Sequence, residues 1–474
     1  QHPAIRYHMT GASSQTQIWR VTDGVNIEQM PTTWYNDTLS WVGNNSTTAE
    51  KYMAVNVNNA NDWKTPTFVG KVANQNLHAL SNIDYVIICP AEFVEPAIRL
   101  AEKHEVVDNL TWAVVTDEQV YNEFSSGTPD VTAYRWLMKM LYDRAGGIST
   151  KQPKNLLLFG NGTFDNRKIL PRSGESKLLV YQAKNSTIET QAYGTDDYCG
   201  FLLDNAGIDN KGMFNDVRAQ MNIGVGRLPV KTIEEANQVV DKICTYMDNQ
   251  SLGKWKTQIC FLADDGDHGL HVQTAEAGAE KLRKENADFV INKIYLDAYT
   301  QEVNAAGESY PLAKNQFDNL LNNGMIFMNY SGHGGYNNIT NELFMTLKDI
   351  QNMKNSNQGF WYLATCSFSH FDGGEVSAGE HAVLNPNGGA IGVLSACRTV
   401  FATQNTIFNR NLCDTLFGHS NPYEYNMTLG EATRIAKNKT GYDSNKMAYI
   451  LLADPAIKLN YPTDLQVKTV LDVD

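Results

Sequence analysis

The stretch Met325-Ile326-Phe327-Met328-Asn329-Tyr330-Ser331-Gly332-His333-Gly334-Gly335 decides how this chain is read. An apolar run of strand type ends on an imidazole set among glycines. A second stretch, Phe360-Trp361-Tyr362-Leu363-Ala364-Thr365-Cys366-Ser367, ends a similar run on a thiol. Open α/β sheets bind ligands beyond the carboxyl ends of their strands. If the two strands are neighbours in one parallel sheet, imidazole and thiol emerge at the same edge, as a cysteine hydrolase requires. Cys366 is then the nucleophile, and His333 assists thiolate formation and protonates the leaving amine. The glycines beside His333 let a substrate backbone come close. The N–H groups of Gly334 and Cys366 are candidate oxyanion donors. The competing reading is a buried cysteine and a loop histidine beside a Gly-rich turn.

The surrounding pattern is that of an α/β protein. Strand signals at Ile83–Pro90, Trp112–Val115, Leu156–Gly160 and Ile223–Pro229 alternate with helix signals at Pro96–Glu105, Asp130–Tyr142 and Thr232–Met247. Thr232 and Glu235 form a capping-box pattern. After a polar link at Asn249–Lys256, strands are expected at Gln258–Ala263, Ile291–Leu296, Met325–Asn329, Phe360–Ala364 and Ala390–Ser395. Helices are expected near 273–284, 313–322, 347–353, 379–384, 405–417 and 429–437, with a last strand at Ile457–Asn460. Such alternation predicts a parallel sheet covered on both faces. The expected organisation is a β-rich segment at 1–82, a first α/β subdomain at 83–250, a second carrying His333 and Cys366 at 251–462, and the start of a further module at 463–474.

The net charge of −13 over 474 residues and the lack of basic clusters argue against a nucleic-acid groove or an anionic-lipid surface. No apolar run reaches 18 residues, so no transmembrane helix is expected. The opening Gln1-His2-Pro3-Ala4-Ile5-Arg6 lacks the basic and apolar regions of a signal peptide. Seven cysteines are scattered without a CxxC pair, so a structural zinc site is not expected. Asp264-Asp265-Gly266-Asp267-His268 resembles a cation loop but lacks EF-hand spacing, and reads better as a solvated loop. His268 and His271 could supply zinc nitrogens, with nothing in the sequence to complete the set. A metallohydrolase built on His333 lacks two further ligands for the same reason. Glu380 and His381 read as ordinary helix residues.

The paired motifs Asn-Tyr-Ser-Gly-His-Gly (329–334) and Ala-Thr-Cys-Ser (364–367) resemble the gingipain family of cysteine peptidases, family C25 of the caspase-like clan. Phe159-Gly160-Asn161, Gly194-Thr195-Asp196-Asp197-Tyr198, Ile223-Gly224-Val225-Gly226-Arg227 and Leu452-Ala453-Asp454-Pro455 are similar to landmarks of that family, in the same order. The resemblance covers residues 83 to 460. Within the family, Asn122–Gly127, Lys139–Arg144 and Phe68–Gln75 are most similar to the cell-surface sortases of type IX secretion.

The resemblance implies a caspase/gingipain-like sandwich, with an immunoglobulin-like module after it. It implies His333 and Cys366 as the dyad, with Gly334 at the oxyanion. Asp197 is a candidate to orient His333 or to bind Ca²⁺, although it reads better as a turn carboxylate capping local N–H groups, and Asp143 is a second candidate for the orienting acid. Asn161, Ser395 and Arg398 would line the S1 region. Asn161 stands where arginine-specific members carry a carboxylate, and Arg398 adds positive charge, so weak cleavage after Arg or Lys is expected. No cofactor is required, and a structural Ca²⁺ is common in the family. The implied substrates are C-terminal sorting signals of secreted proteins, cut through a thioester that passes to water or to an amine on lipopolysaccharide. Outer-membrane secretion components would be partners, and the bacterial cell surface the location. The alternative is a catalytically weak scaffold that binds such signals.

Overall fold

The computed structural model describes residues 4–44, 49–171, 173–185, 187–208, 215–249, 252–286, 288–304, 307–418 and 426–462. The module expected at 463–474 lies outside them. The chain divides into a unit of residues 1–74 and one of residues 75–474, so the first boundary falls before the expected position 82.

The first unit is mainly β, with a short 3-10 turn at Ala60–Asp62. Ala4–Thr10, Thr38–Asn44 and Thr32–Tyr35 form one three-stranded sheet, and Glu28–Met30, Thr16–Arg20 and Tyr52–Asn56 form another. Its buried core is small: Ile18, Met30 and Leu39.

The second unit is built on one ten-stranded sheet. Its strands are β1 (Tyr85–Cys89), β2 (Trp112–Thr116), β3 (Asn155–Phe159), β4 (Gly224–Leu228), β5 (Gln258–Ala263), β6 (Val290–Tyr295), β7 (Phe327–Ser331), β8 (Phe360–Ala364), β9 (Gly392–Ala396) and β10 (Tyr449–Leu452). Their order is β6-β5-β7-β8-β9-β10-β4-β3-β1-β2. Every residue of β1, β3, β4, β7, β8, β9 and β10 is buried, which is why β1, β3, β8 and β10 read as nearly continuous apolar runs rather than alternating ones. Helices Val94–Asp108, Val131–Arg144, Ile233–Met247, Leu270–Glu285, Pro311–Asn323, Ala402–Phe417 and Leu429–Thr440 supply the outer layers.

The two α/β halves are therefore parts of a single sheet. The strand that joins them is β10, which pairs antiparallel with β9 (Val393 opposite Leu452) and parallel with β4 (Arg227 opposite Leu452). The last strand thus lies at 449–452, not at the expected 457–460. The 455–457 backbone is occupied elsewhere. Carbonyls of Pro455 and Ile457 accept from the N–H groups of Gly430 and Leu429, satisfying first-turn donors of the 429–440 helix that have no partner within it. Gly224 and Gly226 make room for this crossing. A Cβ at Gly226 would stand 2.5 Å from the Ala453 carbonyl, and one at Gly224 2.6 Å from Gly430. Asp117–Phe124 is a helix not expected from the sequence. Its signal was present as the capping box of Thr116 and Gln119.

Candidate active site

Strands β7 and β8 are parallel neighbours, with Tyr330 opposite Leu363 and Ser331 opposite Ala364. His333 and Cys366 each stand two residues past that last rung. Adjacent strands lie about 4.8 Å apart, so the two loops leave the sheet side by side. They also touch. The Gly332 N–H donates to the Ala364 carbonyl at 3.3 Å, and a Cβ on Gly334 would stand 2.6 Å from Thr365 Oγ1. Glycine is required at 334 because the histidine loop is pressed onto the cysteine loop.

The His333 side chain is 47% exposed, and Cys366 is half-buried. The Cys366 sulfur lies 3.7 Å from the Val400 carbonyl and accepts from the Val400 N–H at 3.5 Å. Burial pushes its thiol pKa up, the Val400 N–H works the other way, and the charge of Glu189 adds to the rise. In this state the sulfur keeps its proton, so a base must take it during attack. Ser367, just after it, has φ 55°, a sharp left-handed bend at a non-glycine residue. Among the described residues no acceptor takes the N–H of Gly334 or of Cys366.

The acids around His333 come from the loop after β5, the other neighbour of β7. Asp264 is buried, and its Oδ2 accepts the His333 N–H at 2.9 Å. The Tyr330 hydroxyl donates to the His333 carbonyl at 2.6 Å, with Asp264 Oδ2 3.3 Å away. Together they clamp the histidine backbone. Burial pushes the Asp264 carboxyl up to about 7, against the pull of the His333 N–H. Asp267 Oδ2 lies 3.1 Å from His333 Nε2 and 3.1 Å from His271 Nε2. The loop read as solvated is thus folded against the histidine. Asp267 and His268 both have positive φ, so the loop is held in a conformation that costs energy.

The two candidate acids named from the sequence are engaged elsewhere. Asp197 is buried against Lys437 Nζ at 2.6 Å, and that ammonium also donates to the Tyr449 carbonyl at 2.6 Å. The adjacent Asp196 forks onto the buried Arg227 at 2.7 and 2.8 Å. The Asp196-Asp197 motif therefore ties the 194–200 segment to β4 and to the 429–440 helix. Asp143 pairs with Lys139 one helical turn away, at 2.9 Å. The group at the His333 ring is Asp267.

The S1 candidates are likewise placed by their hydrogen bonds. Asn161 is buried. Its Nδ2 donates to the Glu175 carbonyl at 2.6 Å, and its Oδ1 accepts from the Lys177 N–H at 3.2 Å. Ser395 is fully buried in β9 and donates to the Leu363 carbonyl at 2.9 Å, so it lines no open pocket. Arg398 forks onto the buried Asp372, with both contacts at 2.7 Å. Its charge is cancelled there, and the repulsion expected of it is largely lost. Glu380 is a capping-box residue, paired with Ser377, and His381 lies on the same short helix, as expected.

A model described as Peptidase family C25 matches residues 78–460. No curated protein sequence matches the chain. Among solved structures, the Arg-specific cysteine proteinase gingipain R (RgpB) superposes with a TM-score of 0.57 at 15% identity, over 80% of this chain and 78% of that one. The complex of Porphyromonas gingivalis RgpB pro- and mature domains gives 0.56 at 15% identity, over 79% of each. Dimeric latent PorU from Porphyromonas gingivalis gives 0.54 at 25% identity, over 97% of this chain. The present chain spans 38% of that PorU structure. The mixed α/β architecture agrees with the gingipain-like sandwich implied by the motifs, and no described helix is long and apolar enough to cross a membrane. With its α/β unit matched almost from end to end, the chain belongs to peptidase family C25, a family of cysteine peptidases.

Proposed function

We propose that this chain is a cysteine endopeptidase of the sortase kind, acting through Cys366 and His333. The observation that carries the reading is the matched register of β7 and β8, which sends both residues out of the sheet at the same height. With Nε2 facing Asp267, His333 has Nδ1 left to receive the thiol proton. The sulfur then attacks the scissile carbonyl, and the oxyanion forms toward the N–H groups of Gly334 and Cys366. Collapse breaks the C–N bond, and the imidazolium returns its proton to the departing amine. A thioester remains. Water releases it as a carboxylate, and an amine releases it as a new amide. Asp267 holds the ring and stabilises its cationic form, as the acid does in a triad.

The likeness to PorU along nearly the whole chain supports C-terminal secretion signals as substrates, an amine acceptor on lipopolysaccharide, outer-membrane secretion components as partners and a cell-surface location. The test is incubation with a secreted protein that carries its C-terminal signal, with and without hydroxylamine, followed by intact-mass spectrometry. A single cut releasing the signal, with hydroxamate at the new terminus when hydroxylamine is present, is expected. An unprocessed protein that nevertheless binds would favour a recognition scaffold.

Asn161 offers an amide, already hydrogen-bonded, where an arginine-specific site needs a carboxylate. Peptides with Arg or Lys at P1 are therefore expected to turn over more slowly than those with a neutral P1. An unpaired buried charge costs several kcal/mol, enough for a difference of about 100-fold in kcat/KM. Equal kcat/KM for arginyl and neutral fluorogenic peptides would contradict this.

A further inference from the structure

The sequence offered no completed metal set, yet the fold assembles one at the edge of the candidate dyad. One carboxylate oxygen and one nitrogen from each of two imidazoles, supplied by Asp267, His271 and His333, lie within 4.8 Å of one another. Asp267 Oδ2 stands equidistant, at 3.1 Å, from the two Nε2 atoms. Both Nε2 atoms thus meet the same oxygen, and the rings stand edge to face with centroids 5.1 Å apart. His271 is buried, in the first turn of the 270–285 helix, while His333 is half-exposed. The three donors thus have a fixed inner side and an outer side open to solvent.

Two imidazoles and a carboxylate are a borderline donor set. It suits Zn²⁺ and its first-row neighbours, and it suits Ca²⁺ or Mg²⁺ poorly. Three protein ligands with one side open is also the arrangement that leaves a coordination position for water.

We propose that Asp267, His271 and His333 form a binding site for a divalent transition metal of the Zn²⁺ class, and that the metal switches the peptidase off. The proposal rests on His333 being the base of the dyad. Coordination takes the lone pair of Nε2 on each ring. A neutral imidazole bound in that way carries its single proton on Nδ1, the nitrogen that would otherwise receive the thiol proton. No electron changes hands and no bond of the substrate is involved. The metal also takes the Asp267 carboxylate away from the ring. Removal by a chelator restores the starting tautomer.

The experiment separates metal binding from catalysis. Co²⁺ is titrated into the metal-free chain and into Cys366→Ala, His271→Gln and Asp267→Asn variants, with visible absorption as the readout and Zn²⁺ as competitor. Peptidase activity is followed in parallel. One saturating d–d band, with one equivalent bound by the wild-type chain and equally by Cys366→Ala, is expected. His271→Gln is expected to bind roughly 100-fold more weakly, since losing a ligand costs more than the 10- to 100-fold that losing an outer hydrogen-bond partner costs. Whatever turnover His271→Gln retains should be correspondingly less sensitive to zinc. Equal binding by His271→Gln, loss of binding in Cys366→Ala, or no saturable band in the wild-type chain would each overturn the site. Binding as expected in a chain whose wild type shows no peptidase activity would leave the metal site standing and overturn the dyad with its inhibition.

Discussion

Replacing Cys366 with alanine should abolish cleavage, by on the order of 10⁴–10⁶-fold in kcat/KM, as expected for a nucleophile that works as a unit with its base. His333→Ala should cost about as much, and the double variant scarcely more. Such non-additivity separates a shared chemical step from two independent structural roles. The fold should not notice the first change. Cys366 is half-buried, and its sulfur meets only the Val400 backbone among the hydrogen-bond partners described. Removing it should cost about 1 kcal/mol or less, too little to explain lost activity by unfolding. Thiol labelling gives an independent view. Cys89, Cys199, Cys260, Cys397 and Cys413 are buried, and Cys244 is the other half-buried thiol. Of the two half-buried thiols only Cys366 has a base, His333, proposed to take its proton, so iodoacetamide should modify Cys366 first in the native state, and His333→Ala should slow that modification without changing Cys244. Measurable turnover by a purified Cys366→Ala chain would end the proposal.

The residues that could be found from sequence were those whose chemistry is announced by a strand end. His333 and Cys366 follow apolar runs and stand out beside glycines. The acid that meets the imidazole did not stand out, although the same rule would have found it. Asp264–His268 also follows a buried strand, β5, and Ala263 pairs with Ser331. Strand adjacency is what converts that loop from a solvated turn into a wall of the site, and adjacency is a long-range property that local pattern does not carry. The resemblance-based candidate, Asp197, is buried for another reason: it compensates Lys437 inside the fold. Similarly, Tyr449–Leu452 is as apolar as any strand here, but it was hidden between a helix signal and the Asp454-Pro455 turn. Its antiparallel insertion between β9 and β4 is a tertiary decision, made where the two halves of the sheet need a common strand.

Asp454 should prove to be the most expensive side chain to remove from the fold outside the apolar core. It is fully buried just after β10. Its Oδ1 accepts from the Tyr85 hydroxyl at 2.9 Å and from the Ala456 N–H at 3.0 Å, and its Oδ2 lies 2.7 Å from His104 Nε2. His104 is itself fully buried, with Nδ1 2.8 Å from Asp108. One carboxylate thus fastens the joining strand to β1 and to the 94–108 helix. Asp454→Ala leaves a buried imidazolium facing a void and a tyrosine hydroxyl without an acceptor, and should cost on the order of 3–5 kcal/mol in urea unfolding. The same site sets a pH dependence. Burial pulls the His104 pKa down, but the Asp454 and Asp108 carboxylates outweigh it and push it up to about 9. The folded value lies above the unfolded one of about 6.5, so the folded state binds the proton more tightly. This contribution is fully present below about pH 6.5 and is lost as pH rises through about 9, a decline of up to about 3 kcal/mol. His104→Gln should flatten that part of the stability profile while keeping a donor toward Asp454. A wild-type profile equally steep in the glutamine variant would assign the slope to other groups. A wild-type profile level between pH 6.5 and 9 would mean that His104 does not carry an extra proton in the folded chain, and that its two carboxylates hold a neutral ring.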